Sequence, residues 1–244
     1  MIEVQKLVRD LGGTRILDEL TFTANTGEIT GFLGPNGAGK TTTMRVLSTL
    51  LKPTSGQVLI EGFDIERDAT EVRRRIGLVT EEPSLLDRLT VREQLTFSAR
   101  MYDLAETTIR ERIDLLIELL GLHDGIDKRA GALSKGNRQK AALARALVHD
   151  PPVLLLDEPT ANLDIVAQAG MQSLLERDDV VGTKTVFLST HVLDEAERLC
   201  DRVVGIVEGR TVASGTPEEI IAATGASSFR DAFLGLMAET AMSV

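Results

Sequence analysis

At 244 residues the chain is long enough to bury a substantial core, as one domain or two small ones. Its formal charge of −10 leaves no basic surplus to displace counterions from a nucleic-acid backbone, so no nucleic-acid partner is expected. There is no secretory-type leader pattern, no apolar run near the ~18–20 residues that span a bilayer, and only one cysteine, Cys200; the expectation is a soluble cytosolic chain with Cys200 as core filling.

Residues 3–9 and 16–23 read as strands around a Gly12-Gly13 turn, and Thr26-Gly27-Glu28 turns the chain into a short apolar strand, Ile29 to Leu33. Next comes Gly34-Pro35-Asn36-Gly37-Ala38-Gly39-Lys40-Thr41, opening a helix predicted to run to about Leu51 before Pro53-Thr54-Ser55-Gly56 breaks it. Glycines at a strand-to-helix junction let successive N–H groups converge on phosphate oxygens at the positive end of a helix. Lys40 would then reach the outer phosphates and Thr41 a magnesium ion. The competing reading is a Gly-rich turn with a surface lysine.

A strand at Gln57 to Ile60, a charged helix around Glu71 to Arg75 and a strand at Ile76 to Val79 follow. From about Leu85 to Val148 helical signals dominate. Thr90-Val91-Arg92-Glu93 reads as a capping box, and Thr108-Ile109-Arg110-Glu111 as a second one, opening a helix with Ile109, Ile113, Leu116 and Leu120 on one stripe. Ser134-Lys135-Gly136-Asn137-Arg138 opens an Ala/Leu-rich helix ending before Pro151-Pro152.

Val153 to Leu156 has the pattern of a parallel strand covered on both faces. Asp157-Glu158-Pro159 follows, then a helix over Ala167 to Leu175, a buried strand at Thr185 to Leu188 ending in Ser189-Thr190-His191, and a helix from Asp194 to Leu199. Arg202 to Val207 and Arg210 to Ala213 form a hairpin about Gly209; Thr216-Pro217-Glu218-Glu219 starts another helix, and Phe229, Phe233, Leu236 and Met237 mark an amphipathic tail. The fold class expected is α/β: a mostly parallel sheet with an N-terminal antiparallel β subdomain and a helical insertion. The expected division is 1–82 plus 151–225 as nucleotide-binding core, 83–150 as helical subdomain and 226–244 as tail.

Open parallel sheets bind ligands beyond the carboxyl ends of their strands, and three such ends carry suitable groups: Gly34 onward, Asp157-Glu158 and His191. Asp157 would hold Mg²⁺ directly or through water, and Glu158 would orient and deprotonate an attacking water. His191 reads equally as a capping or core imidazole and as a polar sensor of a terminal phosphate. The Ser134 to Arg138 turn, with Lys135 and Arg138, is either a second phosphate site or a serine-capped helix with surface charges.

Five motifs in order, GPNGAGKTT (Gly34 to Thr42), LSKGN (Leu133 to Asn137), LLLDEP (Leu154 to Pro159), ANLD (Ala161 to Asp164) and STH (Ser189 to His191), resemble the nucleotide-binding subunit of ATP-binding cassette (ABC) transporters over nearly the whole chain. The resemblance implies a P-loop NTPase core binding ATP and Mg²⁺ through Gly34 to Thr42. It implies a head-to-tail dimer, expected to be of identical chains, in which Ser134 and Gly136 of one copy touch the γ-phosphate held by Lys40 of the other, with Asp164 at the seam. It also implies a separate membrane permease as partner, a place on the inner face of the cell membrane, and docking through Glu81 to about Tyr102, including Leu85, Leu86 and Leu89; these leucines read equally as ordinary core. LSKGN with the EEP segment looks like the bacterial drug- or lipid-exporter subfamily of the ABC-2 type.

The chain departs from the family pattern in places. Lys135 and Asn137 replace a glycine and the glutamine of LSGGQ, Glu81 stands where the family has a glutamine that contacts the metal, and Leu11 stands where an aromatic usually stacks on adenine. Base stacking is worth ~1–3 kcal/mol, so weak discrimination between ATP and GTP is expected. The alternative function is a non-transport cassette ATPase in translation or DNA processing, although such proteins typically carry two cassettes or a long coiled-coil insertion. A GTPase switch lacks its base-reading motif, since Thr183-Lys184 continues as Thr185-Val186.

Overall fold

A computed structural model of the chain describes residues 1–242, so the last two residues of the expected tail lie outside the described residues. Strands β1 (Ile2–Leu11), β2 (Thr14–Ala24), β4 (Ser55–Ile60) and β5 (Phe63–Asp64) form an antiparallel sheet in the order β2-β1-β4-β5. β3 (Ile29–Leu33) leaves that sheet and joins β6 (Ile76–Val79), β7 (Val153–Asp157), β8 (Thr185–Thr190), β9 (Arg202–Val207) and β10 (Arg210–Gly215) in the order β10-β9-β3-β8-β7-β6. All pairings in this second sheet are parallel except β9 with β10.

The continuous aliphatic runs explain the layering, because alternate side chains of one strand supply two different cores. On β7, Leu154 and Leu156 join the core shared with the helices, while Val153 and Leu155 join the one under the antiparallel sheet. That second core centres on Phe22, Phe32 and Phe187, with ring centroids 5.0–5.5 Å apart. Cys200 is buried beside Gly31, and burial pushes its thiol pKa up, in keeping with a filling role.

Helices α1 (Lys40–Leu47), α2 (Ala69–Arg75), α3 (Val91–Met101), α4 (Glu106–Leu120), α5 (Lys135–Leu147), α6 (Ile165–Leu175), α7 (Leu193–Leu199), α8 (Pro217–Thr224) and α9 (Phe229–Met242) complete the chain. The capping boxes expected at Thr90 and Thr216 are both formed. The one expected at Thr108 is not. α4 begins at Glu106 with Ala105 at its N-cap, so Thr108 lies inside its first turn; the exposed Glu106 carboxylate takes two bonds from Arg100 at 2.7 and 3.1 Å across the turn from α3. α1 stops at Leu47 instead of about Leu51, since the Leu50 and Leu51 amides both turn back to the Arg45 carbonyl. The tail does pack: Phe229 and Phe233 are fully buried.

His149 shows how the helices lock onto the sheet. Its ring stacks on Tyr102 at 3.6 Å, and its Nε2 lies 3.1 Å from the Ile76 carbonyl. Burial is the main cause that lowers its pKa from 6.5 to about 4. The imidazole is thus neutral when folded and binds a proton first when unfolded, so its contribution is whole above pH 6.5 and is lost as pH falls toward 4. His149→Gln, which keeps a donor for the Ile76 carbonyl, should flatten that part of the thermal-midpoint profile; equal acid slopes for variant and parent would contradict the assignment.

Candidate active site

The loop after β3 needs its glycines for two reasons. A Cβ on Gly34 would lie 2.2 Å from the Ile206 carbonyl, and Gly39, at φ +108°, would press on Leu17 at 2.6 Å. Gly37 also has positive φ, at +82°. These conformations curl the backbone so that Ala38 N–H bonds the Pro35 carbonyl at 3.2 Å and the loop feeds directly into α1.

Lys40, only 7 % exposed, folds back into this curl, where its ammonium donates to the Gly34 and Pro35 carbonyls at 2.7 and 3.2 Å. It also lies 3.4 Å from Glu158 Oε1, while the other oxygen of that carboxylate is 2.8 Å from His191 Nδ1. One carboxylate therefore sits between an ammonium and an imidazole. Glu158 adopts φ +49°, costly for a non-glycine residue; its amide is held by the Ser189 carbonyl and Oγ, both at 3.1 Å. Ser189 Oγ in turn donates to Asp157 at 2.6 Å.

A cavity of about 480 Å³ is lined by Asn36, Gly37, Gly39, Lys40, Thr41, Thr42, Glu81, Glu158, His191 and Ile16. Three distant stretches thus meet as the strand-end argument expects. Gly34, Pro35 and Ala38 stand behind the lining as its frame. Asp157 opens onto an adjoining cavity of about 370 Å³ that also touches Thr41 and Glu81. Glu81 is reached by Asn162 Nδ2 at 3.2 Å.

Among the described residues there is no cluster of three or more His, Cys, Asp or Glu able to hold a metal ion without further ligands. Thr41 and Glu81, which line both cavities, and Asp157, which lines the second, offer a hydroxyl and carboxylates, hard oxygens of the kind magnesium takes alongside phosphate oxygens and water. The donor set fits Mg²⁺ arriving with a nucleotide.

Leu11 is not among the cavity's lining residues; Ile16 of β2 is. Leu11 stands at the family's aromatic position near the first turn, whereas this wall of the cavity comes from the strand after that turn. Ile16 alternates with the buried Leu17, and that alternation was the available signal.

Ser134 and Gly136 lie outside this cavity, at the start of α5. Ser134 is the N-cap and accepts from Asn137 N–H at 3.3 Å, while a Cβ on Gly136 would stand 2.8 Å from the Ala167 Cβ. Arg138 is committed to Asp87 and the Ala130 carbonyl, each at 2.8 Å, leaving the exposed Lys135 as the accessible cation of that turn. Asp164 caps α6 through Ala167 N–H at 2.9 Å, just before the highly exposed Ile165 and Val166.

Residues 17–161 match the family model described as ABC transporter. The chain is 39% identical over 222 residues to the ABC transporter ATP-binding protein NatA of Bacillus subtilis (strain 168), covering 89% of this chain and 85% of that protein. It is 40% identical over 225 residues to the Nod factor export ATP-binding protein I of Paraburkholderia xenovorans (strain LB400), covering 91% of this chain and 72% of that one. A solved structure, described as the dimeric post-hydrolysis state of an ATP-binding cassette bound to ADP and Pi, superimposes with a TM-score of 0.78 at 26% identity, covering 88% of this chain and 98% of its own.

Because Lys40 supplies the one ammonium that lines the cavity among the described residues, Lys40→Ala should weaken binding of a fluorescent ATP analogue by tenfold or more. Titration curves within twofold of the parent would remove Lys40 from phosphate binding.

Proposed function

Because the chain belongs to the ABC transporter family as an ATP-binding, ATP-hydrolysing subunit, we propose that it works in a head-to-tail pair of identical copies that drives a separate membrane permease in the direction of export. The observation that carries the chemistry is the convergence of Lys40, Glu158 and His191 on one cavity floored by the glycine loop.

In this reading the loop amides and Lys40 hold the triphosphate, with Thr42 at the rim. Thr41 and Asp157 would hold Mg²⁺, with Glu81 as a further contact; the ion would neutralise charge on the phosphate oxygens. Glu158 orients a water against the terminal phosphorus and accepts its proton. His191, bonded to the same carboxylate, holds Glu158 in position and presents its other ring nitrogen toward the phosphate. The tight contact of Gly136 with Ala167 puts the Ser134 turn beside the exposed start of α6, so both form one face for a second copy. There Ser134 and Gly136 reach the partner copy's terminal phosphate, and Asp164 lies at the seam.

No helix of the described residues is long and apolar enough to cross a membrane. The permease is proposed from the family and from the relatives named as ATP-binding proteins of transport and export. Residues 83–150 are taken as the helical subdomain that meets it. Leu85 is buried and belongs to the core, Leu89 is half-buried, and Leu86 is exposed together with Phe97 and Met101, leaving an apolar surface for the permease. The name of the Nod factor export relative favours export, and the names of both relatives favour transport over a role in translation or DNA processing.

Two variants separate the steps. Glu158→Gln should bind nucleotide normally, lose turnover by roughly 10²–10⁴-fold and accumulate an ATP-bound dimer on size exclusion; ordinary steady-state hydrolysis would remove it as the base. Ser134→Ala should leave monomer affinity for ATP unchanged while making activity depend more steeply on protein concentration. An equal loss at every concentration would argue against action across the dimer.

A further inference from the structure

Glu195 is buried to 2 % exposure in the first turn of α7, yet it does not cap that helix. Its neighbour Asp194 stays at the surface with Arg230 at 2.7 Å and already gives the helix start its favourable negative charge. Glu195 turns inward instead. One of its oxygens accepts from Thr160 Oγ1 at 2.6 Å and from Gln172 Nε2 at 3.4 Å; the other accepts from Thr190 Oγ1 at 2.6 Å. A carboxylate taken out of water among neutral donors is costly to fold around, so its placement calls for a reason beyond packing.

That reason lies in what the two threonines are attached to. Thr160 stands two residues after Glu158, and Thr190 stands immediately before His191. Thr190 Oγ1 also accepts from Val192 N–H at 3.1 Å, which pins the turn that carries the histidine. With the Glu158–His191 contact at 2.8 Å a closed ring results: Glu158, Pro159, Thr160, Glu195, Thr190, His191 and back to Glu158. Gln172 adds α6, the helix that begins beside Asp164.

We propose that Glu195 is a positioning residue for hydrolysis: by clamping the chain just after Glu158 and just before His191, it sets the distance between the base and the imidazole. This rests on the roles given above to those two residues. Glu195 does not line the cavity; it acts on the reaction through the two loops. A displacement of the order of 1 Å at a reacting group is enough to cost ~10²-fold in rate, so a loosened ring should appear in kcat and not in binding.

The test compares the purified full-length chain with Glu195→Gln, Thr190→Val and Glu158→Gln, measuring kcat and KM for MgATP, affinity for a fluorescent ATP analogue and thermal midpoint. The amide of Glu195→Gln removes the charge and obliges one threonine hydroxyl to turn from donor to acceptor, so the two short charge-assisted bonds become longer neutral ones and the ring loosens. The expected result is a kcat roughly 10- to 100-fold below the parent, with KM and nucleotide affinity within about twofold and the midpoint within a few degrees. Thr190→Val removes one arm from the other side at nearly constant volume, and carries the same expectation should the Glu195 variant fail to fold. A folded Glu195→Gln that turns over within threefold of the parent, or one that loses activity through KM, overturns the proposal, provided Glu158→Gln is inactive. Turnover by Glu158→Gln would instead remove the base assignment on which the ring is argued.

Discussion

The parallel register of β3, β8 and β7 is the constraint from which the rest of the site follows. Leu33 lies opposite Thr190 and Asp157 opposite Ser189, so the three loops that follow these strands leave the sheet side by side. A one-residue slip of β7 would exchange the two faces of Val153 to Leu156, but both faces are apolar and buried, so hydrophobic patterning alone does little to forbid it. Polar groups at the strand ends supply the missing specification. Ser189 bonds Asp157 and the Glu158 amide together, and any other register leaves a buried carboxylate and a buried N–H without their partners.

The charges are arranged in the same economy. A unit pair near 4 Å is worth ~4 kcal/mol at an effective dielectric constant of ~20, whereas each buried ion costs several kcal/mol to desolvate. The Lys40–Glu158 contact at 3.4 Å therefore does not secure itself. Two carbonyls on the ammonium and an imidazole on the carboxylate make up the difference. A triphosphate carries more charge than Glu158 and in the proposed reading takes over the ammonium, which leaves the carboxylate with His191 beside the water it activates.

Much of this was legible in the chain because the decisive signals are local. The glycine loop, the aliphatic runs ending in Asp157 and His191, and the caps at Thr90 and Thr216 each depend on residues within a few positions of one another. What stayed hidden depends on partners far apart. Thr108 loses its expected cap role because α4 starts earlier, at Glu106, where Arg100 of the preceding helix pairs with the first residue. Ile16, not Leu11, lines the cavity over the glycine loop, because β2 passes against that loop at Ile16 and Leu17. Glu195 carries no signal of its own within the helix expected from Asp194 to Leu199; its contact with Thr160 spans 35 positions.

Glu81 shows how a departure from the family pattern is absorbed. A carboxylate at this position can only accept, and its bond from Asn162 Nδ2 at 3.2 Å is one that a glutamine oxygen would accept equally well. The difference lies in what is left over: a glutamine keeps two donors, while Glu81 brings a third negative charge to cavities that already hold Asp157 and Glu158. Because Glu81 is exposed and the other two are buried, water screens its share of the repulsion. Asn162, held at φ +60°, suits this contact, since asparagine tolerates the left-handed region and its amide supplies the donor the carboxylate lacks. The loop bearing Asp164 is thereby tied to the loop bearing Glu81 through one oxygen, a tie that does not depend on the charge and leaves the second carboxylate oxygen of Glu81 free of that bond.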